Sequence, residues 1–300
     1  MANKNLKENK FKRFFAVSLR GIIKAISKKK YIELQYKYIT HHKLNFANPI
    51  RYTEKLQYLR YYVYPKNPLV SKCAGRVGAR EYLKELNLDK YLIPIYGIYD
   101  KFEDINFDTL PNQFVMKCSH GCAMNYICYD KSRIDFKSLK RQFNKWLHTN
   151  YGKKTVELHY SPIKPQIIIE KLLLEDNHLP IEYKIHVYNG KAKNLYVVTN
   201  RGKDIRYTNY YIDWTSFDGS QFNGWKKSDT PINKPANFDE MVKISELLAG
   251  NFPFVRVDLY NINGVIYFSE MTFTPAKGTL ILDDDKCDYE MGEWLDINSK

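Results

Sequence analysis

"RVDLYNINGVIYFSEMT", residues 256–272, sets two apolar, alternating runs on either side of Asn263-Gly264, the pattern of two antiparallel strands joined by a tight turn. Side chains alternate along a strand, so Arg256 and Asp258 share one face of the first run, while Phe268, Glu270 and Thr272 share one face of the second. The numbers of opposed residues in an antiparallel pair have a constant sum. Residues 258 and 270 occupy one face only if that sum is even, which requires an odd-numbered loop or a bulge. A three-residue connection of Ile262, Asn263 and Gly264, with Gly264 left-handed, meets the requirement. It sets Glu270 opposite Arg256 and diagonal to Asp258, about 7–8 Å away, within reach of a shared divalent cation or cation pair. Two buried carboxylates without partners are costly or are driven neutral, so a cationic group is expected beside them. A salt bridge to Arg256 and a metal site both satisfy that demand.

Outward from the hairpin, "NFDEMVKISELLAGN" (237–251) reads as a helix with Met241, Ile244, Leu247 and Leu248 on one face and Gly250 as its stop. Residues 164–201 read as nearly continuous strand, with a buried run ending at Glu170, a polar break, and a second hairpin turning at Asn189-Gly190. "QFVMKCSHGCAMNYICYD" (113–130) reads as strand, loop, strand, and "DFKSLKRQFNKWLHTNY" (135–151) as a helix. "SKCAGRVGAREYLKELNL" (71–88) is expected to be one helix with Ser71 as its cap, followed by the extended "YLIPIYGIYD" (91–100). The irregular alternation of strands and helices predicts an α+β fold, not a doubly wound parallel sheet.

The chain has 300 residues, 44% hydrophobic and 15% aromatic, enough to bury a core and too apolar for a disordered chain. Its five cysteines are odd in number and form no C-x-x-C pair, which points to a reducing cytoplasm and against a structural zinc site. Of the net charge of +14, residues 1–30 carry ten Lys/Arg against the single acid Glu8. There Phe11, Phe14, Phe15, Leu19, Ile22, Ile23 and Ile26 recur at helical steps, with Arg13, Arg20, Lys24 and Lys28 mostly off the stripe. This is a basic amphipathic helix, either packed on its own domain or lying on an anionic membrane surface. No recognition module accompanies the charge, so no nucleic-acid partner is expected. Arg20 interrupts the apolar run that a signal peptide would need, and no stretch approaches the roughly 20 apolar residues of a membrane span. The expected location is cytoplasmic, peripheral to the inner face of the plasma membrane if the helix binds lipid.

Lys72, Lys117 and its following loop, the segment Glu170-Lys171-Leu172-Leu173, "EYKIHV" (182–187) and the 256–272 hairpin occur in an order that resembles the ATP-grasp family, over about residues 46–280. More narrowly they are similar to its TupA-like branch, associated with teichuronopeptide and other surface-polysaccharide biosynthesis. The resemblance implies two α+β subdomains clasping a nucleotide. It divides the chain into a basic segment (1–45), an N-terminal α/β subdomain (46–110), a central subdomain with a phosphate loop (111–172) and a C-terminal subdomain with the metal site (173–300). ATP and Mg2+ are the implied cofactors. Asp258, Glu270 and Thr272 take the place of the metal ligands, the last where many members have asparagine. Arg256 takes that of the arginine stabilising the transferring phosphoryl group, and Lys117 that of a phosphate-holding lysine with a catalytic share. Ser119, His120 and Gly121 begin the phosphate loop, which has a single glycine where relatives tend to have more. Glu170, Lys171 and Leu173 stand where the base is read, Glu182 where the ribose is held with Lys184 beside it, and Lys72 where a further lysine contacts phosphate.

The family's chemistry implies a carboxylate-amine ligase acting through an acylphosphate. The branch implies an amino acid or glutamyl chain joined to a carboxylate-bearing glycan or its lipid-linked precursor. His120 is a candidate for proton transfer. A rival expectation is a capsule or exopolysaccharide glycosyltransferase whose metal sits on Asp283, Asp284 and Asp285, although consecutive acids are commonly a solvated turn.

Overall fold

A computed structural model describes residues 20–202, 204–217, 220–221, 226–282 and 284–298. Phe11, Arg13, Phe14, Phe15 and Leu19 of the basic stripe, and Asp283, lie outside the described residues. Nine strands organise two sheets: β1 (Ile95–Tyr99), β2 (Phe114–Cys118), β3 (Asn125–Cys128), β4 (Ile167–Lys171), β5 (Glu182–Tyr188), β6 (Lys191–Thr199), β7 (Arg206–Tyr211), β8 (Phe254–Ile262) and β9 (Val265–Thr272). The first sheet runs β1-β4-β2-β3; the second runs β9-β8-β5-β6-β7, with a two-residue strand, Lys226–Lys227, beside β7. Helices α1 (Lys28–Thr40), α2 (Tyr52–Tyr58), α3 (Pro68–Ala74), α4 (Arg76–Glu85), α5 (Phe136–Leu147), α6 (Tyr151–Thr155), α7 (Phe238–Ala249) and α8 (Asp285–Glu293) surround them. The class is α+β, as the alternation of elements predicts.

The hairpin closes differently from the expectation. Asn263 and Gly264 form a two-residue turn, both with positive φ (50° and 81°), so Ile262 pairs with Val265. A bulge then intervenes: Leu259 faces Phe268 while Asp258 faces Glu270, leaving Ser269 as the extra residue. The bulge, not a three-residue loop, changes the parity of the pairing sum. Asp258 and Glu270 are therefore direct cross-strand partners, and Arg256 faces Thr272.

The alternation of β8 separates two environments. Val257 and Leu259, with Ile185, Val187 and Val197 of the neighbouring strands, are fully buried against the α7 face made by Met241, Ile244 and Leu248. Leu247 is off that face and 50% exposed. The opposite face of the sheet is polar. The first sheet buries Phe114, Met116, Ile167 and Ile169 against Phe143 of α5, whose N-cap Asp135 accepts from the Ser138 amide.

Residues 71–88 form two helices where one was expected. Asn67, not Ser71, caps α3 by accepting from the Leu69 and Val70 amides. Gly75 is extended (φ −85°, ψ 133°) and close to Ile163, where an added Cβ would meet the Ile163 side chain at 2.9 Å. The break starts α4 at Arg76. At the other end, residues 20–26 are helical and Ser27 caps α1, which docks through Ile32 and Tyr36.

Two histidines are buried as neutral rings. Neither ring nitrogen of His159, packed among Tyr64, Tyr160 and Phe273, finds a hydrogen-bond partner among the described residues. Burial first, then the Arg60 charge, lowers its pKa to about 3; burial and then Arg256 do the same to His186. Each titrates near 6.5 when unfolded. The unfolded chain thus takes up protons that the folded chain refuses, and stability falls as pH drops below 6.5 towards 3, by roughly 2 kcal/mol per histidine at pH 5. The thermal midpoint is expected to fall between pH 7.5 and 5.5, and less steeply in His159→Phe. Equal slopes in parent and variant would count against His159.

Candidate active site

Strand register builds the polar face as a grid. Across β9, β8, β5 and β6 one row reads Glu270, Asp258, Lys184, Tyr196, and the next reads Thr272, Arg256, His186, Asn194. Tyr260 faces Glu182 in the row on the other side. Arg256 donates to Asp258 from Nε at 2.6 Å and from Nη2 at 2.8 Å, and to the Thr272 hydroxyl at 2.9 Å. Its Nη2 also lies 3.4 Å from Glu270, while Nη1 meets the Tyr196 hydroxyl at 2.9 Å. Lys184 bridges Asp258 and Glu182, the latter at 2.9 Å, and Arg201 grips the other oxygen of Glu182 at 2.6 Å.

The smaller sheet faces this grid. Lys117 and Glu170 are diagonal neighbours on β2 and β4 and pair at 2.7 Å. From α4, Arg76 reaches Glu270 at 3.6 Å and Arg80, one turn on, reaches Glu170 at 3.7 Å. Burial opposes the ionisation of Glu270, but Arg76, Lys184, Arg256 and Lys117 outweigh it and hold its pKa at about 2. Burial likewise works against the charge of Lys184, and Asp258 with Glu182 overcomes it, raising the pKa. Asp258 is fully enclosed, whereas the Glu270 side chain is 31% exposed.

Where the two sheets meet lies a cavity of about 390 Å³ whose walls include Lys117, Glu170, Lys171, Leu173, Arg201 and Tyr260, a volume suited to a small-molecule ligand. Most of the residues singled out in the sequence converge there or on the grid beside it. Four do not. Lys72 pairs with Glu85 at 2.6 Å and lines a separate cavity of about 560 Å³ together with Ser119. The Ser119 hydroxyl is occupied by the Lys164 carbonyl and the Gln166 amide. His120 is buried, with Nε2 on the Trp146 carbonyl and its pKa lowered mainly by burial. Gly121 packs on the Tyr151 ring, where a Cβ would lie 2.7 Å from the ring, and its carbonyl accepts from Arg76. The Lys171 amide, expected to read a base edge, donates instead to the Pro94 carbonyl at 2.9 Å.

Sequence reasoning missed Arg76, Arg80, Arg201, Tyr196 and Tyr260. The i, i+4 spacing of Arg76 and Arg80 was a usable signal once the helix began at Arg76, and Tyr260 continues the alternation of Arg256 and Asp258. Nothing local marks Arg201. Of the rival acidic triplet, Asp284 caps α8 by accepting from the Lys286 amide, and Asp285 pairs with Arg51 at 2.9 Å and His42 at 2.8 Å. Both described members have structural partners.

Residues 54–296 match the family model described as TupA-like ATP-grasp. The chain belongs to the TupA-like ATP-grasp family. No curated protein compared with it matches. Solved structures similar to this TupA-like chain include a D-alanine–D-alanine ligase from Bacillus anthracis complexed with ATP (17% identity, TM-score 0.45, covering 68% of this chain and 56% of that one). Others are an N5-carboxyaminoimidazole ribonucleotide synthetase in its ADP complex (14%, TM-score 0.45, 72% and 49%) and an L-amino acid ligase from Bacillus licheniformis (15%, TM-score 0.41, 70% and 45%). The chain spans about half the length of these structures.

ATP-grasp enzymes use ATP, typically with Mg2+, and the TupA-like site fits both. Six cationic side chains (Arg76, Arg80, Lys117, Lys184, Arg201, Arg256) face four carboxylates (Glu170, Glu182, Asp258, Glu270). The surplus of two positive charges complements a magnesium nucleotide of about two negative charges. No group of three or more His, Cys, Asp or Glu suited to a metal occurs among the described residues. Two carboxylates and the Thr272 hydroxyl nevertheless suit magnesium, which takes one or two carboxylates and completes its shell with water and substrate phosphates. Among the described residues no helix is long and apolar enough to cross a membrane.

Proposed function

We propose that this chain is an ATP-dependent carboxylate-amine ligase that joins an amino acid, or a glutamyl chain, to a carboxylate on a cell-surface polysaccharide or its lipid-linked precursor. The observation that carries the reading is that Tyr260, in the wall of the ≈ 390 Å³ cavity, shares one sheet face with the Asp258/Glu270 pair and Arg256. Bound ATP and magnesium would supply the phosphoryl group that activates the carboxylate. Lys117 and Arg256 would stabilise the phosphate charge, Asp258 and Glu270 would hold the metal, and Arg76 would brace Glu270. Lys184 is buried between Glu182 and Asp258 and sets their positions. No protein nucleophile is required.

The test is incubation of the purified chain with ATP, magnesium chloride, oligogalacturonate and an equimolar mixture of the standard amino acids. ADP release that depends on both the oligosaccharide and the amino acids, with a matching gain of mass on the sugar, supports the ligase. In a parallel incubation that supplies nucleotide sugars in place of ATP, their turnover on the oligosaccharide would replace it with the glycosyltransferase reading.

We also propose that the N-terminal segment rests on anionic lipid. Ile22 and Ile26 are 56% and 81% exposed beside the basic Arg20 and Lys24, a surface suited to an interfacial helix. Removing residues 1–26 leaves α1 intact and is expected to abolish co-sedimentation with phosphatidylserine vesicles at low salt. Undiminished co-sedimentation would refute the proposal.

A further inference from the structure

The residues of β8 that face the site come at two-residue steps, each about 6–7 Å long. Tyr260 borders the nucleotide cavity, Asp258 with Glu270 comes next, and Arg256 with Thr272 follows. Thr274 lies one further step along the chain of β9, and its hydroxyl donates to Glu157 Oε1 at 2.6 Å. Glu157 is 3% exposed, and its Oε2 has no hydrogen-bond partner among the described residues. A buried carboxylate oxygen without a donor is an expensive arrangement that a native chain retains for a reason.

Local structure fixes this residue. Val156 is left-handed (φ 59°, ψ 37°) and ends α6, and the Glu157 amide then donates to the Gly152 carbonyl at 3.1 Å. Tyr160 links the neighbourhood to the loop after β2, with its hydroxyl 3.4 Å from Cys122 Sγ. Burial first, then the fields of Cys122, Glu157 and Glu270, raise the Tyr160 pKa, so both carboxylates act on the same hydroxyl. Arg60 is the obvious structural counterion, yet its guanidinium bonds go to the carbonyls of Thr155, Val156 and Lys277 and to Gln35 and Gln57. None goes to Glu157, whose charge acts on the buried Arg60 only through space, so Oε2 keeps an open acceptor position.

We propose that Glu157 is the anchor of the amine substrate: a primary amine donates an N–H hydrogen bond to Oε2 and keeps its lone pair for attack, just beyond the phosphoryl-transfer end of the nucleotide site. The assignment rests on the ligase reading. The carboxylate whose activation is mediated by Arg256 and the metal pair must meet its nucleophile past Arg256, on the side away from Tyr260. Thr274 aims the anchor by holding the other oxygen.

The experiment compares two nucleophiles, using oligogalacturonate, ATP and magnesium with either the standard amino acids or hydroxylamine. Hydroxylamine nitrogen attacks the acyl carbon, the carbon–oxygen bond to phosphate breaks, and phosphate leaves with a proton from nitrogen, giving a coloured hydroxamate. Glu157→Gln is expected to raise the amino-acid KM by about 10–100-fold, with a much smaller loss of hydroxamate formation and partial rescue in Glu157→Asp. Equal losses with both nucleophiles, or an unaltered amino-acid KM, would overturn the assignment. If the parent forms neither product the ligase reading itself fails, and stability decides the remainder. A Glu157→Gln midpoint at or above the parent's supports an anchor awaiting a donor ligand, and a clearly lower one makes Glu157 a structural acid.

Discussion

Replacing Glu270 by glutamine is expected to lower ATP-dependent turnover at least about 100-fold while the chain stays folded, an effect of the size seen when one electrostatic contributor to a transition state is removed. The reasoning is geometric. Glu270 is the member of the acidic pair with exposed surface, 31% against none for Asp258, and Arg76, Arg256 and Thr272 converge on it. The amide keeps the shape and a hydrogen-bonding oxygen but removes the charge a divalent cation needs, so the loss should appear chiefly in kcat and in the magnesium concentration required. With a pKa of about 2, Glu270 is ionised throughout the working range. Its contribution to stability is present above the unfolded carboxyl pKa and is lost only as pH falls through the folded value. A variant that turns over like the parent at saturating magnesium would remove Glu270 from the metal site.

Lys184→Met is the larger test of the fold. Lys184 is 3% exposed between Glu182 and Asp258, and methionine preserves the length of the side chain but not its charge. Both carboxylates would then depend on Arg201 and Arg256 alone. Removing one partner from a buried ionic cluster leaves uncompensated charge, and a loss of about 3 kcal/mol is expected. It should be read as a lower urea midpoint with unchanged slope. In the pair Lys184→Met with Asp258→Asn, the loss should be smaller than the sum of the single changes, because the second removes the charge the first leaves unpaired. Strict additivity would show that the two residues are not coupled.

Much of the site was legible from local pattern because strand alternation is a local property. Period two put Arg256 with Asp258, and Glu270 with Thr272, on shared strand faces, the resemblance to the family singled out Glu182 and Lys184, and each of the six lies on the polar face of the larger sheet. Lys117 and Glu170 were equally readable as residues at the ends of apolar strands. The misplacements have one physical origin. Lys72, Ser119 and His120 lie in helix and loop segments, where the direction of a side chain depends on what packs against it. Lys72 is drawn to Glu85 from the next helix and His120 to the Trp146 carbonyl at the end of α5.

Amphipathic periodicity, turn residues and the spacing of the acids therefore determined the α+β class, both hairpins and the membership of the acidic pair, since these depend on neighbours a few residues apart. The direct pairing of Asp258 with Glu270 was decided by a bulge at Ser269 that no local signal announces. The tertiary structure alone decided that Arg76, Arg80 and Arg201 complete the charge balance, and that Glu157, over a hundred residues away in the chain, accepts from Thr274 just past the end of β9. Long-range electrostatic partners are chosen by how sheets and helices pack, and the sequence specifies that packing only through the sum of its contacts.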